Sequence, residues 1–351
     1  MITKLSTYIT DNTVPYRNLA IEEYLTLHTE PDECILFLWQ NRRTVVIGKN
    51  QNCWKECKVN CLEEDGGYLV RRLSGGGAVF HDLGNLNFTF CVRKENYDVD
   101  RQLEVILQAA RLLGLDARKT GRNDVTIEGR KFSGNAFYES GDFCYHHGTL
   151  LLDVNKEDMS RYLNVSREKL QSKGVDSVRS RVANLIEFNP QITVPLMQEK
   201  LVQAFGMVYG LETQVLSKDR IDWEDVHEKE QKFGSWEWKY GRRIPFQYSA
   251  SRRFGWGDVE LQFQVDGGII KSVNVFSDGM NPKLVGALPA AWEGCRYEEQ
   301  ALIAALEQTV EALQKDSEAA EHAEAGTRIL GSRESEQQMK QDIGELLREC
   351  L

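Results

Sequence analysis

The sequence predicts an α+β fold in two domains, and three observations support this prediction. The chain has 351 residues, which is longer than one typical domain and shorter than three. Short strand-like and helical segments alternate from residue 2 to about residue 238. A polar stretch over residues 241–253 then precedes a hairpin and a long helix. We therefore expect a first domain over residues 1–245 and a smaller α+β domain over residues 254–351.

Hydrophobic periodicity assigns the elements of the first domain. Residues 85–92 alternate between apolar and polar side chains, which is typical of a strand. Residues 99–113 carry an apolar stripe at helical spacing, and Gly114 ends this helix. Glu128 and Gly129 separate two strand-like runs, which predicts a hairpin. In chain order we predict a helix over 18–28, a strand pair at 35–39 and 44–47, strands at 67–73 and 85–92, the helix over 99–113, the hairpin 125–127 and 130–137, a strand at 149–154, and helices over 195–209 and 221–233.

The second domain repeats the hairpin signal on a smaller scale. Two strand-like runs, 259–265 and 269–276, flank a turn that contains Gly267 and Gly268. A helix over residues 298–313 follows, then an Ala- and Glu-rich stretch to residue 331 that predicts a loose helix or linker, and a last short helix over 335–347. We interpret the acidic tail as a solvated helix or flexible end rather than a partner-binding element.

The charge distribution argues against nucleic acids and membranes as partners. The net charge is −10, and residues 316–351 supply half of it with nine acidic and four basic side chains. A small anionic ligand held by a few cations fits this distribution better than a polyanion does. The sequence has no apolar run near the roughly 18 residues of a membrane helix and no pattern of a secretory signal at its start. We expect a cytoplasmic protein.

Eight cysteines in a cytoplasmic protein are expected to be reduced thiols. Cys53, Cys57 and Cys61 recur every four residues, which predicts one helical face. A metal or iron–sulfur site is one interpretation of this spacing. Because no histidine accompanies the three thiols, we favour half-buried core positions on a helix.

Two arginines followed by three glycines form the densest chemical signal in the sequence. Arg71 and Arg72 end a predicted strand, and residues 75–77 are all glycine. Consecutive glycines let the backbone approach a ligand, and successive N–H groups in such a turn suit phosphate. A flexible turn would explain the glycines alone, but the paired guanidinium groups favour a phosphate or carboxylate ligand.

A second cluster lies on and beside the predicted hairpin. Lys131 points to the opposite face of its strand from Arg130, so one of the two cations points inward. A buried lysine needs an anionic partner, and a bound phosphate or carboxylate is adequate. Asn123 and Asp124 offer the hard oxygen atoms that suit Mg²⁺, although both residues are also typical of turns.

A histidine pair forms the third cluster. His146 and His147 are adjacent in a predicted strand and face opposite sides, so they do not suit one metal ion. One inward imidazole near a reacting carboxylate is a functional interpretation, and a structural histidine is the alternative.

In this order, the motifs resemble those of the lipoate–protein ligases. The matching runs are Arg-Arg-x-Ser-Gly-Gly-Gly-Ala-Val-Phe-His-Asp from Arg71, Gly-Arg-Asn-Asp from Gly121, Arg-Lys-x-Ser-Gly-x-Ala from Arg130 and His-His-Gly-Thr-Leu-Leu from His146. Residues 177–182 and 235–238 also resemble family signatures, and the resemblance extends to about residue 290. It implies a catalytic domain related to biotin protein ligase, with a mixed sheet flanked by helices, followed by a small accessory domain.

The resemblance implies an ATP-dependent ligase with two half-reactions. Lipoate would form lipoyl-AMP and pyrophosphate, and a lysine of an acceptor domain, on a dehydrogenase E2 subunit or the glycine-cleavage H protein, would then take the lipoyl group. Lys131 would stabilise charge in both steps, and Asp124 would hold Mg²⁺ with ATP. An accessory domain is typical of members that catalyse both steps alone. The residues implied to bind ATP or lipoyl-AMP are Arg72, Ser74, Gly75, Gly76, Gly77, Ala78, Val79, Phe80, Asn123, Asp124, Lys131, Ser133, Gly134 and His147.

Three other functions remain open. An octanoyl or lipoyl transferase needs a nucleophilic thiol beside Lys131, and the nearest candidates are Cys91 and Cys144. A biotin–protein ligase usually carries a Gly-Arg-Gly-Arg phosphate loop, which this sequence lacks. A non-catalytic scaffold would not need both Arg72 and Lys131. The sequence also leaves lipoate and octanoate undecided, because an apolar slot discriminates weakly between chains of similar length.

Overall fold

The computed structural model describes residues 1–120, 124–164, 182–240, 248–323 and 332–350. The chain divides into two compact units. Unit 1 comprises Met1–Ile47, Cys53–Arg72 and Ala78–Lys239, and unit 2 comprises Gly48–Asn52, Leu73–Gly77 and Tyr240–Leu351. The glycine run 75–77 therefore belongs to unit 2, whereas Arg72 is the last residue of a segment of unit 1.

Two sheets form the centre of unit 1. In chain order its strands are β1 (Lys4–Ile9), β2 (Glu33–Trp39), β3 (Thr44–Ile47), β4 (Tyr68–Arg71), β5 (Val79–His81), β6 (Asn85–Arg93), β7 (Arg118–Thr120), β8 (Asp124–Ile127), β9 (Arg130–Ser140), β10 (Phe143–Leu151) and β11 (Thr213–Val215). The large sheet has the order β11-β1-β2-β6-β10-β9-β8-β7, and the small one has the order β4-β3-β5. β1 runs parallel to β2 and β11, and the remaining neighbours in the large sheet are antiparallel. The predicted α+β class with a mixed sheet is confirmed.

The predicted pairing of the strands at 35–39 and 44–47 is wrong. β2 pairs with β1 and β6, whereas β3 pairs with β4 and β5, so the two strands belong to different sheets. Every residue of both strands is buried. Because neither strand has a solvent face, long-range partners determine the pairing and the short link between them does not form a hairpin.

Some helices of unit 1 contact strands of the large sheet, and others contact strands of the small sheet. The helices are α1 (Pro15–Leu27), α2 (Cys53–Glu56), α3 (Val59–Glu64), α4 (Val99–Leu112), α5 (Lys156–Tyr162), α6 (Val194–Tyr209), α7 (Trp223–Gly234) and α8 (Trp236–Tyr240). α4 has the predicted amphipathic pattern. The side chain of Asp98 caps its first turn by accepting from the Arg101 amide, and Gly114 follows it with φ 75°.

The predicted single helical face for three cysteines is wrong. Cys53 lies in α2 and Cys61 in α3, and between these short helices Cys57 forms an isolated β-bridge with Leu163. Cys53 and Cys57 are buried, which agrees with core positions. In the described ranges, no three His, Cys, Asp or Glu side chains are grouped as ligands of one metal ion.

Unit 2 has its own sheet and core. Its strands are β12 (Tyr248–Phe254), β13 (Gly257–Asp266) and β14 (Ile269–Ser277), and its helices are α9 (Pro282–Trp292), α10 (Glu299–Ala323) and α11 (Ser332–Cys350). The predicted second hairpin corresponds to β13 and β14. The interpretation of the acidic tail as a solvated helix or flexible end is wrong for α11, because one face of this helix packs into the core of unit 2 through Met339, Ile343, Leu346 and Leu347. β12 was not predicted, because its polar and charged residues are typical of a connecting segment. None of the helices in the described part of the chain has the length and apolar character needed to cross a bilayer.

Candidate active site

Lys131 and Asp124 form an ion pair at the hairpin of β8 and β9. The Lys131 Nζ lies 2.6 Å from the Asp124 Oδ1, and both side chains are about one-fifth exposed. The turn between the strands is formed by Glu128 and Gly129, both with positive φ, as a tight two-residue hairpin turn requires. A bulge at this end of the strands leaves Phe132 without an opposite residue, since Lys131 faces Thr126 in the register and Ser133 faces Val125.

The two adjacent cations of β9 have different surroundings. Arg130 pairs with Glu187 at 2.7 Å and lies over the Phe188 ring, on the outside of the hairpin. The Lys131 side chain instead lies over Gly134, where an added Cβ would be only 2.6 Å from Nζ. This glycine is therefore required by close approach of the lysine. The expectation that one cation of the pair points inward agrees with this geometry.

The backbone beside Lys131 is held by two neighbours. The Gly134 amide donates to the Thr149 Oγ1 at 3.3 Å, and Ala183 donates to the Lys131 carbonyl at 2.9 Å. Ser133 is fully buried, and its Oγ has no hydrogen-bond partner within the part of the chain that the structure describes. The two hydrogen bonds hold the backbone of β9 around Lys131.

Arg71, the last residue of β4, and Arg72, which follows it, make separate contacts. Arg71 donates to the carbonyls of Trp238 and Lys239, and the Trp238 indole donates back to the Arg71 carbonyl, so this arginine ties β4 to α8. Arg72 is 5% exposed and donates from Nη1 to the Val46 carbonyl at 3.3 Å. Burial lowers the pKa of Arg72 to about 10, while the charges of Tyr145 and Glu22 oppose this shift. Arg72 thus remains a buried cation at neutral pH.

A buried hydrogen-bond network links β10 to α1 and β6. His147 faces the Glu22 carboxylate of α1, with Nδ1 to Oε1 at 2.8 Å, and the same oxygen accepts from the Thr89 hydroxyl at 2.6 Å. A carboxylate can only accept, so the His147 proton lies on Nδ1. His147 stacks at 4.7 Å on the ring of Tyr145. Because alternate residues share a face, Tyr145, His147 and Thr149 line the same side of β10.

His146 faces the other side of β10, as the strand alternation predicts. Its Nδ1 is 3.1 Å from Gln102 of α4, and its Nε2 is 2.8 Å from the Asn135 Oδ1. Burial lowers the pKa of His146 to about 3, with smaller contributions from the charges of His147 and Lys119. His146 is therefore a neutral structural side chain, whereas His147 belongs to the candidate site.

The glycine run lies in unit 2 and packs against the backbone of that unit. The Gly76 amide donates to the Gly279 carbonyl, and Gly76 has φ 90°. A Cβ on Gly75 would lie 2.8 Å from the Gly279 carbonyl oxygen, and one on Gly48 would lie 2.2 Å from the Gly76 carbonyl oxygen. Ser74 is fully buried. Close backbone packing therefore explains these glycines in unit 2, and a phosphate-binding role stays a prediction.

The remaining predicted residues divide into three groups. Val79 and Phe80 lie in β5, where Phe80 is buried against the Tyr162 ring at 5.7 Å. Ala78 is half-buried just before them. Asn123, with the rest of the run 121–123, and most of the signature at 177–182 lie outside the described residues.

Glu22 is a site residue that the sequence did not reveal. It lies in the middle of α1, within a run of helix-forming residues, and is 1% exposed. A buried carboxylate is uncommon and is usually paired, so its burial is the informative signal. That signal exists only once the helix is packed against β6 and β10.

Comparison with known proteins gives relatives for both parts of the chain. Residues 14–206 match the family described as the lipoyl protein ligase A/B catalytic domain, and residues 243–324 match the bacterial lipoate protein ligase C-terminus. The crystal structure of LipL1 from P. falciparum in complex with lipoate is 27% identical to this chain. The match covers 97% of this chain and 99% of that one, with a TM-score of 0.79.

Two further solved structures match about two-thirds of the chain. A bi-partite lipoate protein ligase from Thermoplasma acidophilum, solved with its E2 lipoyl domain, is 27% identical over 70% of this chain and 99% of its own, with a TM-score of 0.60. A lipoate-protein ligase A bound with ATP is 25% identical over 69% of this chain and 99% of its own, with a TM-score of 0.59.

Proposed function

The chain belongs to the lipoyl protein ligase A/B family, and we propose that it uses ATP to attach lipoate to a lysine of an acceptor domain. The relatives solved with lipoate and with ATP support these two substrates. The observation that carries the proposal is the position of Lys131, a partly buried cation held against Asp124 and Gly134. A lysine in such a place can exchange its internal partner for the anions of a substrate.

In the first half-reaction, a carboxylate oxygen of lipoate attacks the α-phosphorus of ATP and pyrophosphate leaves. The two reacting groups are both anionic, so the approach is opposed by charge repulsion. Lys131 and the buried Arg72 reduce that repulsion as preorganised cations, and they need little reorganisation as the reaction proceeds. The product is the mixed anhydride lipoyl-AMP.

In the second half-reaction, the neutral amine of the acceptor lysine attacks the acyl carbon and AMP leaves with the bonding electrons. The attacking nitrogen loses one proton to solvent as the amide forms. Lys131 stabilises the negative charge that develops first on the acyl oxygen and then on the leaving phosphate. No covalent bond to the enzyme is needed, so the chemistry requires no cysteine.

Mg²⁺ fits the described residues as an ion that arrives with ATP. Protein sites for Mg²⁺ commonly use one or two carboxylates together with substrate phosphates, and Asp124 supplies one carboxylate beside Lys131. The ion would neutralise phosphate charge. Asp124 is the described residue that would hold it.

The acceptor and the domain organisation are parts of the same proposal. An E2 lipoyl domain is the partner in one solved relative, which supports E2 subunits as acceptors, and the glycine-cleavage H protein is the second candidate.

We further propose that residues 1–245 form the catalytic domain and that residues 254–351 form an accessory domain that allows one chain to catalyse both steps. A cytoplasmic location agrees with the use of ATP and reduced thiols.

The proposal is tested by incubating the purified chain with ATP, Mg²⁺, lipoate and a purified apo acceptor domain. We expect pyrophosphate release and a mass shift of the acceptor by one lipoyl group. Lys131→Ala is expected to lower the rate about 100- to 1000-fold, as the loss of one preorganised charge-stabilising group does in other enzymes.

Arg130→Ala is the matched control for this substitution, because it removes the neighbouring cation, which pairs with Glu187. We expect it to retain nearly the wild-type rate. A chain that releases no pyrophosphate, or a Lys131→Ala variant with full activity, would contradict the proposal.

A further inference from the structure

His81 is a buried histidine with one ring nitrogen unused. The residue is 3% exposed at the end of β5, and its Nδ1 lies 3.2 Å from the side-chain nitrogen of Asn41. The Nε2 atom is buried and makes no hydrogen bond to any residue in the described ranges. A buried polar atom without a partner in a native protein requires an explanation, and a bound ligand is one.

A relay of two asparagines fixes the proton of His81. The Asn18 side-chain nitrogen donates to the carbonyls of Asn12 and Gln40, at 3.1 and 2.8 Å, so the orientation of this amide is determined by the backbone. The Asn41 Oδ1 lies 3.0 Å from the same nitrogen, which has two N–H groups for three acceptors, so one N–H is shared between two of them. A nitrogen of Asn41 at this place would face another donor and would have no acceptor there. The Asn41 amide group therefore presents its nitrogen to His81.

The relay leaves one tautomer for His81. The Asn41 nitrogen is a donor, so the His81 Nδ1 accepts and its own proton lies on Nε2. Burial, with the charges of Arg72 and His147, lowers the pKa of His81 to about 3. The ring is neutral at neutral pH, and its Nε2 is an N–H donor without a protein partner in the described part of the chain.

The sheet register locates this donor relative to Lys131. Thr149, beside the Lys131 side chain, pairs with Asn87 of β6, and Asn87 pairs with Trp39 of β2. β10 and β2 are thus two strand spacings apart, about 10 Å. The His81 ring meets the Trp39 ring edge-on at 6.2 Å. An extended eight-carbon acid with its carboxylate at Lys131 has the length to reach this place with its far end.

We propose that the His81 Nε2–H donates a hydrogen bond to a sulfur atom of the dithiolane ring of lipoate, and that Asn41, held by Asn18, is the positioning residue for this donor. The inference rests on the proposed function, because it assumes that lipoate is the acyl substrate. It makes His81 a specificity residue: octanoate ends in a methyl group and would leave the N–H unsatisfied.

The discrimination is expected to be moderate. A site that hydrogen-bonds its substrate rejects an analogue that lacks the partner atom, because the buried polar group is then unpaired. Sulfur is a weak acceptor, so we expect a preference for lipoate over octanoate of about tenfold in kcat/KM from this contact.

The tautomer is measured first, in the wild-type protein without substrate. Nitrogen-15 NMR of labelled histidine at pH 7 is expected to show a protonated Nε2 and an unprotonated Nδ1 for His81, assigned by its loss in His81→Gln. The Asn41→Leu variant is expected to lose this fixed pattern. A wild-type signal with the proton on Nδ1, or on both nitrogens, would overturn the inference.

Selectivity is measured next, as kcat/KM of pyrophosphate release with lipoate and with octanoate. His81→Phe is expected to reduce the lipoate-to-octanoate ratio about tenfold, mainly through the KM for lipoate. His81→Gln, which keeps an N–H donor at similar reach, is expected to retain most of the ratio. His28→Phe, at the end of α1, is the control and should leave the ratio unchanged.

The outcomes separate this inference from the proposed function. An unchanged ratio in His81→Phe, with normal turnover, would overturn the role of His81 and leave the ligase activity intact. Absence of turnover by the wild type with either acid would overturn the proposed function and the lipoate contact together.

Discussion

At the scale of single residues, buried charges of unit 1 are stabilised by specific partners. Glu33 has no exposed side-chain surface, and the Arg220 guanidinium binds both of its oxygens, at 2.7 and 2.9 Å. Burial alone would raise the pKa of Glu33, but the hydrogen bonds from Arg220 and Ser6 outweigh it and bring this pKa to about 2. The pair ties β2 to the segment that follows β11.

Glu33 therefore predicts a pH dependence of stability. A carboxyl group whose pKa is lower in the folded than in the unfolded state stabilises the fold when the pH is above the unfolded-state pKa of 4.5. This contribution is lost as the pH falls from 4.5 towards the folded-state pKa of about 2. We expect Glu33→Gln to lower the free energy of unfolding by on the order of 3 kcal/mol at pH 7. Urea unfolding at pH 7, 4 and 3 should show that the difference in free energy of unfolding between the wild type and the variant becomes smaller as the pH falls. A constant difference across this range would contradict the assignment.

Residues with a motif could be predicted from the sequence, and residues that act through burial could not. Lys131 was identified by its place in the hairpin run, and the opposite faces of His146 and His147 followed from strand alternation. Glu22 and Asn41 carry no motif. Their roles depend on partners 125 and 40 residues away in the chain, and such pairings are fixed only by the packed fold.

At the scale of elements, β9 and β10 depend on a glycine at their contact. A Cβ on Gly148 would lie 2.7 Å from the Gly134 carbonyl oxygen and 2.5 Å from the Phe88 ring. Gly148→Ala should therefore push β9 away from β10 and displace Lys131, which lies over Gly134. We expect the free energy of unfolding to fall by about 1–3 kcal/mol, measured by thermal melting. We also expect kcat, measured by pyrophosphate release, to fall at temperatures at which the variant is still folded.

Gly286→Ala is the matched control for Gly148→Ala. It lies inside α9, and an added Cβ there meets no atom within 4 Å. Alanine is favoured over glycine in a helix interior by roughly 0.5–1 kcal/mol, so this variant should be slightly more stable and fully active. Equal activity of the two variants would mean that β9 tolerates the added methyl group.

Elements with a strong local pattern were predicted closely, and those defined by distant partners were missed. α4 carries its own amphipathic stripe, and the β8–β9 hairpin carries its own two-residue turn, so both could be predicted from local sequence. β10 begins at Phe143, six residues before the predicted strand, because polar and aromatic residues at its start hide the strand pattern. β1 and β11 are missed for a different reason: each is short and is stabilised by a parallel neighbour that is distant in the sequence.

At the scale of the whole molecule, the burial of the cysteines bears on the class of chemistry. Cys91 is fully buried against the Thr26 hydroxyl at 3.4 Å, and burial raises its thiol pKa well above the usual value. Cys144 is also fully buried. A thiol that resists ionisation is a poor nucleophile, and a fully buried thiol is not accessible to an acyl donor. Neither cysteine therefore suits the thioester intermediate of a transferase.

We therefore expect the double variant Cys91→Ala/Cys144→Ala to retain transfer of lipoate to the acceptor, with the same strict requirement for ATP. The measurement is the mass shift of the acceptor with and without ATP. Transfer from a lipoylated or octanoylated donor protein without ATP, abolished in the double variant, would instead establish a cysteine-dependent transferase.

The C-terminal segment of the second unit is expected to fold without the first unit and without the short segments 48–52 and 73–77, since the core cluster of this unit contains no residue of those two segments. Its core contains buried side chains from all of its strands and helices, among them Trp292, whose indole donates to the Leu302 carbonyl at 3.0 Å. A fragment of residues 240–351 should unfold cooperatively in urea, with a slope of about 1–2 kcal/mol/M for a domain of this size.

A second fragment, residues 254–351, begins at the domain boundary predicted from the sequence. It lacks nearly all of β12, which pairs with β13 over seven residues, and therefore exposes that edge of β13. Because that edge loses its backbone partners and Ala250 leaves the core, we expect the shorter fragment to be less stable or to associate. Equal stability of the two fragments would place β12 outside the folding unit and support the boundary at residue 254.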